Sequence, residues 1–219
     1  MRTTLLALAM AFALIPGGVM AEEQRAKTTD GKEVILRDDG TWAYAEPGKK
    51  DKAKAKDKEK AGGDYKKDKK SELAYTGKRG TFTLSLVPDA WTQLEKSINP
   101  LAEVGFKNGE GDVYAMVVAE RLQVPLPALK KSVLDNMKRV DPESKVLLDE
   151  KRTVNGLEMR CLTVEAAVQE IPLTYHIYLY AGDEGSIQLM TWTGRKLFKE
   201  SKADMEALLN GFEVVKKGE

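Results

Sequence analysis

The second half of the chain reads as a series of β-strands joined by tight turns, and this pattern most constrains the fold. Apolar and β-favouring residues fill five stretches, at 145–148, 151–154, 157–168, 171–181 and 186–193. Asn155-Gly156 and residues 182–185 separate strands in this series, and Asn-Gly favours a two-residue hairpin loop because both residues tolerate positive φ. Strands joined by such short loops lie antiparallel to each other. The sequence therefore predicts an antiparallel meander.

Two segments have helical instead of strand periodicity. One apolar face recurs at steps of three and four residues, at Leu126, Leu129, Val133, Met137 and Val140. A second amphipathic segment spans 195–209 and is closed by Asn210-Gly211. Shorter strands are expected at 81–87, 103–107, 113–122 and 212–215. Together these elements predict an α+β domain over residues 73–219, in which an antiparallel sheet packs with two main α-helices.

The first 21 residues have the layout of a secretory signal peptide. Arg2 precedes an apolar run at 5–15, and the small-x-small sequence Val19-Met20-Ala21 ends the segment. The apolar run is shorter than the roughly 20 residues that a membrane-spanning helix needs. We therefore expect cleavage after Ala21 and an exported protein, periplasmic or secreted, with no transmembrane segment after cleavage.

Residues 22–46 are predicted to form a small β-hairpin unit. Residues 33–37 and 41–44 favour strands, and Asp39-Gly40 between them is a hairpin turn signal. The unit resembles a short Asp-Gly-Thr-Trp module of secreted bacterial proteins. Trp42 and Tyr44 alternate on its second strand, and an exposed aromatic pair of this kind is a candidate protein contact.

Residues 47–72 are predicted to be a disordered linker. Lysines alternate there with Asp, Glu, Ala and Gly, and Tyr65 is the only large hydrophobic residue. Such a composition cannot bury enough apolar surface to offset chain entropy. A weak contact of the lysines with an anionic surface is the alternative to a solvated spacer, although the interspersed acids oppose it.

The composition excludes several functional classes. The formal net charge of +1 gives no basis for nucleic-acid binding. A single cysteine excludes an intramolecular disulfide, and a single histidine excludes His-rich metal sites. No phosphate-binding glycine loop or serine-hydrolase motif is present. Acidic pairs at 38–39, 149–150 and 183–184 flank predicted turns, where solvated acids are ordinary, and their spacing lacks an oxygen-rich calcium loop. We expect no cofactor and no metal.

One pair of residues keeps a catalytic alternative open. Cys161 and His176 lie on the two long strands at 157–168 and 171–181. If Cys161 pairs with Tyr178, the thiol and the imidazole share a face as diagonal neighbours; if it pairs with Leu179, they face opposite ways. A thiol–imidazole dyad is thus the alternative to a buried structural cysteine and a hydrogen-bonded histidine.

The folded region resembles the PsbP-like family, which includes DcrB-like envelope lipoproteins. Four segments carry the resemblance: the run from Phe82 to Trp91, residues 112–121, residues 155–157, and the ending from Phe198 through residues 208–212. The resemblance implies an α+β sandwich over residues 73–215. Members of this family mostly bind proteins and have no common active site, and no ligand motif for the metal sites of some members is visible here.

These observations predict an exported, non-catalytic binding or accessory protein of the bacterial cell envelope. Its partner is expected to be an envelope protein. Two alternatives stay open: an envelope thiol enzyme or hydrolase that uses Cys161 and His176, and a surface tether that acts through the Lys-rich linker.

Overall fold

The computed structural model describes residues 24–27, 33–36, 42–44, 60–96 and 98–215. They belong to two compact units, one within residues 13–58 and one that comprises the chain from residue 59 onward. No helix in the described part of the chain is long and apolar enough to cross a membrane.

The first unit holds a three-stranded antiparallel sheet. Its strands are β1 (Gln24–Lys27), β2 (Glu33–Leu36) and β3 (Trp42–Tyr44), in the order β1-β2-β3. The predicted hairpin corresponds to β2 and β3, and β1 adds a strand to the other side of β2. A lone hairpin is only marginally stable in water, and the third strand adds further hydrogen bonds between strands.

The second unit contains eleven strands and two helices among its described residues. In chain order they are β4 (Lys60–Tyr65), β5 (Glu72–Thr76), β6 (Phe82–Leu86), β7 (Trp91–Gln93), β8 (Val104–Asn108), β9 (Val113–Glu120), α1 (Leu126–Val140), β10 (Lys145–Val154), β11 (Leu157–Val168), β12 (Ile171–Gly182), β13 (Gly185–Gly194), α2 (Phe198–Asn210) and β14 (Phe212–Val214). The predicted α+β fold is confirmed.

Eight of these strands form one mixed sheet in the order β4-β10-β11-β12-β13-β9-β8-β7. The run from β10 to β13 is the predicted antiparallel meander, while β4 pairs parallel to β10. The remaining strands form a smaller antiparallel sheet in the order β14-β6-β5.

The two faces of the large sheet are covered by different elements. Helix α1 packs on one face against β11 and β12, through a buried stripe that includes Leu129, Val133 and Met137. Helix α2 and the small sheet cover the other face. Because side chains alternate along a strand, β11 directs Leu162 towards α1 and Cys161 towards α2.

The predicted linker is wrong over its second half. Residues 60–65 form β4, and β5 begins at Glu72, whereas residues 47–59 lie outside the described residues. Gly62 explains why a Lys- and Gly-rich segment can pair there: a Cβ at this position would meet the carbonyl of Lys151, so glycine alone lets the two backbones approach. The Tyr65 ring anchors the end of this strand on the Arg152 guanidinium.

The prediction that Asp149 and Glu150 flank a turn is also wrong. The two strands expected at 145–148 and 151–154 form the single strand β10, with a register shift between Val146 and Leu148. The acids stay in the strand because cations lie beside them. Asp149 is paired with Arg160 and with Lys130.

The predicted Asn155-Gly156 hairpin turn is confirmed. Both residues have positive φ, 51° and 81°, which is the geometry that this two-residue loop requires. The Asn155 side-chain amide donates to the carbonyls of Asn210 and Phe212, at 2.7 and 2.8 Å. The turn is thereby tied to the end of α2.

Candidate functional site

The strand register brings Cys161 and His176 together. Cys161 pairs with Tyr178 across β11 and β12, which is the register that places the thiol and the imidazole on one face. The Cys161 Sγ and His176 Nε2 atoms are 3.8 Å apart. Of the two alternatives that the sequence leaves open, the structure has the one in which the two side chains are neighbours.

Both side chains are completely buried beneath α2, with an exposed fraction of 0%. This burial raises the pKa of the Cys161 thiol to about 12, against the partly compensating charge of Arg152. The same desolvation lowers the pKa of His176. At neutral pH the pair therefore consists of a thiol and a neutral imidazole, and neither a thiolate nor an open path for substrate is present in this geometry.

His176 is hydrogen-bonded at both ring nitrogens. Nδ1 lies 2.9 Å from Thr163 Oγ1, and Nε2 lies 3.4 Å from Glu206 Oε1. Since a carboxylate only accepts, the neutral ring carries its proton on Nε2 and the Thr163 hydroxyl donates to Nδ1. The hydrogen bond from His176, together with the hydrogen bond from Arg152, lowers the pKa of Glu206 to about 2, although burial acts to raise it.

Arg152 joins these groups into one network. Its Nε donates to Glu150 Oε1 at 2.6 Å, and its Nη1 donates to Tyr178 Oη at 2.7 Å and to Glu206 Oε1 at 2.9 Å. The guanidinium also lies 4.3 Å from the centre of the Tyr65 ring. Nearly all of its surface is shielded from water, so each of these contacts acts in a region of low dielectric.

We call Arg152, Cys161, His176, Tyr178 and Glu206 the buried polar cluster. Each charged member faces a partner of opposite sign, and the Tyr178 hydroxyl donates onward to Asn210 Oδ1 at 3.0 Å. A buried network whose members bind one another in this way rigidifies the elements that carry them. Its arrangement is that of a structural brace between β10, β12 and α2.

Sequence reasoning identified Cys161 and His176 but missed Arg152 and Glu206. Arg152 has the same strand parity as the buried Val154, and Glu206 precedes the buried Leu209 by three residues on α2. The positions of these two residues in their elements indicate that they face the core. A charged residue is nevertheless ordinarily expected to be exposed to solvent, so the positions were not interpreted as buried. Only the tertiary structure shows that the two charges neutralise each other.

Some of the accessible apolar surface lies where the two sheets meet at β5 and β7. A groove of about 250 Å³ lies there, and its lining combines apolar residues (Leu73, Ala74, Leu86, Val87, Pro88, Trp91 and Phe106) with polar ones (Glu72, Asp89 and Gln93). We call this groove the edge groove. Leu73 is 65% exposed. No described strand pairs with the outer side of β5 or of β7, so two sheet edges open onto this groove.

The candidate contact at Trp42 and Tyr44 lies on β3, and the side chains of this strand are outside the described residues. Nothing in the structure tests that prediction.

Comparison with known proteins finds similarity in structure only. No family model matches the chain, and no curated protein matches it by sequence. The solution structure of cyanobacterial PsbP (CyanoP) from Synechocystis sp. PCC 6803 is similar over 64% of this chain and 91% of its own, at 16% identity and a TM-score of 0.48. LpqN of Mycobacterium tuberculosis, involved in cell envelope biogenesis, is similar over 67% and 91%, at 13% identity and a TM-score of 0.48.

A protein of unknown function from Pseudomonas aeruginosa, PA94, a putative regulator, is similar over 68% of this chain and 99% of its own, at 13% identity and a TM-score of 0.42. These are likenesses of fold, and they bring no functional residue to this chain. A PsbP is among the proteins whose structures are similar to this chain.

Proposed function

We propose that this protein is an exported, non-catalytic accessory protein of the bacterial cell envelope that binds an extended segment of another envelope protein. Export is supported by the signal-peptide pattern of residues 1–21. The binding function rests on the edge groove, which combines the exposed Leu73 and the partly exposed Trp91 with two sheet edges that no described strand pairs.

The chemistry of the edge groove selects the kind of partner. Unpaired backbone N–H and C=O groups along a strand are satisfied by the backbone of another strand, which is how sheet edges bind extended peptides. Leu73 and Trp91 flank these edges and offer apolar contact for alternate side chains of the added strand. A polypeptide in extended conformation fits both features, whereas a compact polar metabolite fits neither.

The non-catalytic assignment is supported by the buried polar cluster. Its cysteine and histidine are completely buried, and burial keeps the thiol protonated. An enzyme that used Cys161 as a nucleophile would need both a path to the thiol and a lowered thiol pKa.

The N-terminal parts of the chain have supporting roles in this proposal. The lysines of residues 47–59 set the reach of the folded domain and add a salt-sensitive attraction to anionic surfaces. Trp42 and Tyr44 supply a second contact. Because residues 60–65 belong to the large sheet, a deletion that tests the lysines should end at residue 59.

The proposal is tested by site-specific photo-cross-linking in envelope preparations that contain the full chain. A photo-reactive amino acid replaces Gln93, which is exposed and lines the edge groove. We expect a discrete protein adduct. Leu73→Lys places a charge on the open edge and should reduce the adduct about tenfold.

Leu122→Lys is the matched control, because Leu122 is equally exposed at 68% and does not line the edge groove. Its adduct should equal that of the wild type. Equal reduction by both substitutions, or an adduct that both leave unchanged, would overturn the assignment of the partner to this groove. Loss of the adduct only on deletion of residues 47–59 would favour the tether instead.

A further inference from the structure

A second groove, larger than the edge groove, opens at another place on the same domain. It has a volume of about 1020 Å³ and lies where the turn between β5 and β6, the end of β9 and the turn between β12 and β13 come together. Its lining residues are Lys78, Arg79, Thr81, Arg121, Asp183, Glu184 and Val215. Small-molecule sites usually measure about 300–1,000 Å³, so this groove has room for a ligand and its substituents.

The cations of this groove come from two segments of the chain, residues 78–79 and residue 121. Within the described part of the chain, no ion pair holds Lys78, Arg79 or Arg121. Burial raises the pKa of the Glu120 carboxyl, and the nearby charge of Arg79 partly offsets this rise. The positive charge is thus only partly balanced from within.

Two polar atoms on the cationic side have no acceptor. Arg79 Nη2 and Thr81 Oγ1 are buried and make no hydrogen bond in the described part of the chain. Buried donors are normally paired, so an unpaired guanidinium nitrogen and an unpaired hydroxyl on two residues that line one groove indicate that acceptors are missing there. An oxygen of a bound anion is the acceptor that this pair of groups fits.

The groove also has an acidic side, supplied by the turn between β12 and β13. Glu184 accepts a hydrogen bond from the Tyr180 hydroxyl at 2.8 Å, which fixes its position. Asp183 makes no ion pair in the described part of the chain. A ligand with negative charge alone would meet repulsion from these carboxylates, whereas a ligand with a positive group at one end would be attracted by them.

We propose that this groove binds a phosphate ester that also carries a primary amine. The phosphate lies against Arg79, Thr81 and Arg121, and the ammonium group lies against Asp183. A guanidinium and a hydroxyl can both donate hydrogen bonds to the acceptor oxygens of a phosphate. A phosphate ester is negatively charged at neutral pH. The same chemistry occurs in a soluble phosphoamine and in the headgroup of an amine-bearing phospholipid.

The test uses the full chain and three soluble probes, namely O-phosphoethanolamine, inorganic phosphate and ethanolamine, with titration calorimetry at low salt. We expect O-phosphoethanolamine to bind most tightly. Arg79→Gln should weaken both phosphate-bearing probes about tenfold. Asp183→Asn should weaken O-phosphoethanolamine and leave inorganic phosphate unchanged or bound more tightly, which a merely nonspecific cationic surface would not produce.

Lys131→Gln is the control, because Lys131 is an exposed cation on α1 and lies outside this groove. Unfolding midpoints are measured for all variants. If Arg79→Gln fails to fold, Arg121→Gln replaces it, since Arg121 is exposed. Failure of the wild type to bind O-phosphoethanolamine, or equal binding by wild type and the groove variants, overturns the proposal.

The source of the ligand is resolved with vesicles of phosphatidylcholine, with or without phosphatidylethanolamine. Binding that requires phosphatidylethanolamine and is lost in Arg79→Gln assigns the site to a lipid headgroup. Binding of the soluble probe without vesicle binding assigns it to a soluble ester. These readouts do not involve the edge groove, so this inference and the proposed function can fail separately.

Discussion

The buried polar cluster and the edge groove differ in what their residues can offer to another molecule. The cluster contains residue types that often act in catalysis, namely a cysteine, a histidine and a glutamate. Its cysteine and histidine are nevertheless fully buried, and its polar groups contact one another. The edge groove contains neither a cysteine nor a histidine, yet Leu73 is 65% exposed there and no described strand pairs with the two sheet edges. Reactive residue types and accessible surface are therefore separated in this domain.

This separation teaches that the residue types of a site must be weighed together with their unmet interactions. A histidine between a threonine and a glutamate is hydrogen-bonded at both ring nitrogens, and separating a buried ion pair leaves a buried charge uncompensated. Groups that are left unpaired at a surface are the ones available for binding. The predictions below test each side of this difference.

Arg152→Met should have the largest effect on stability. The substitution keeps a long side chain but leaves the carboxylates of Glu150 and Glu206, both largely buried, without the guanidinium that neutralises them. Breaking a buried ion pair from one side costs about 3–5 kcal/mol. We expect this loss in the free energy of unfolding, measured with urea at pH 7.

Lys131→Met is the matched control for Arg152→Met. Lys131 pairs with Asp135 on the exposed side of α1 at 2.6 Å, and such surface pairs contribute about 0.3–0.5 kcal/mol. Equal costs for the two substitutions would show that the cluster does not brace the domain.

Cys161 should react with thiol reagents only after the domain opens. A pKa that burial raises from 9.0 to about 12 lowers the thiolate fraction at pH 8 by about a thousandfold, and complete burial lowers access further. We expect labelling by iodoacetamide in urea, and labelling of the native protein that is slower by more than about a thousandfold. A surface cysteine from Lys131→Cys, in a chain that also carries Cys161→Ser, provides the control. Native labelling of Cys161 at the rate of this control would revive the thiol-enzyme alternative.

His176 should make the domain less stable as the pH falls below neutrality. Burial lowers its pKa in the folded state below the ordinary value of 6.5, so the unfolded chain takes up the proton first. The contribution is present above pH 6.5 and is lost as the pH decreases, at up to about 1.4 kcal/mol per pH unit for one proton. Glu206, with a folded pKa of about 2 against an ordinary 4.5, adds a loss only below pH 4.5.

The measurement is urea unfolding of wild type and His176→Gln between pH 7 and pH 5. The variant lacks the titrating ring, so its stability should depend less steeply on pH over this interval. Parallel pH profiles would contradict the assignment of the effect to His176.

The fold was largely predictable because its dominant signals are local. The strand predicted at 157–168 begins and ends at the same residues as β11. The apolar stripe of α1 and the Asn155-Gly156 turn also lie where the sequence predicts them. Strand β4 was missed because Lys60, Gly62, Gly63 and Asp64 carry no strand signal. Its pairing depends on the close approach of Gly62 to the backbone of Lys151, which is a long-range property.

The candidate site was less predictable because it depends on pairing register and on contacts between distant segments. A shift of one residue between β11 and β12 would have separated Cys161 from His176, and no local signal decides that register. Arg152 and Glu206 are 54 residues apart in the chain, and each is interpretable alone as a surface charge. The edge groove likewise forms only when β5 and β7, in different sheets, come together.

Leu73→Lys should have the smallest effect on stability, in contrast to its expected effect on binding. Leu73 is 65% exposed, so it loses little contact with the core when it is replaced, and surface substitutions of this kind usually change the free energy of unfolding by less than about 0.5 kcal/mol. Urea unfolding of this variant beside Leu122→Lys measures the difference. A loss above about 1 kcal/mol for Leu73→Lys alone would mean that the side chain belongs to the domain's own packing. The edge groove would then be part of the folded structure in the same sense as the buried polar cluster, and the contrast between the two regions would disappear.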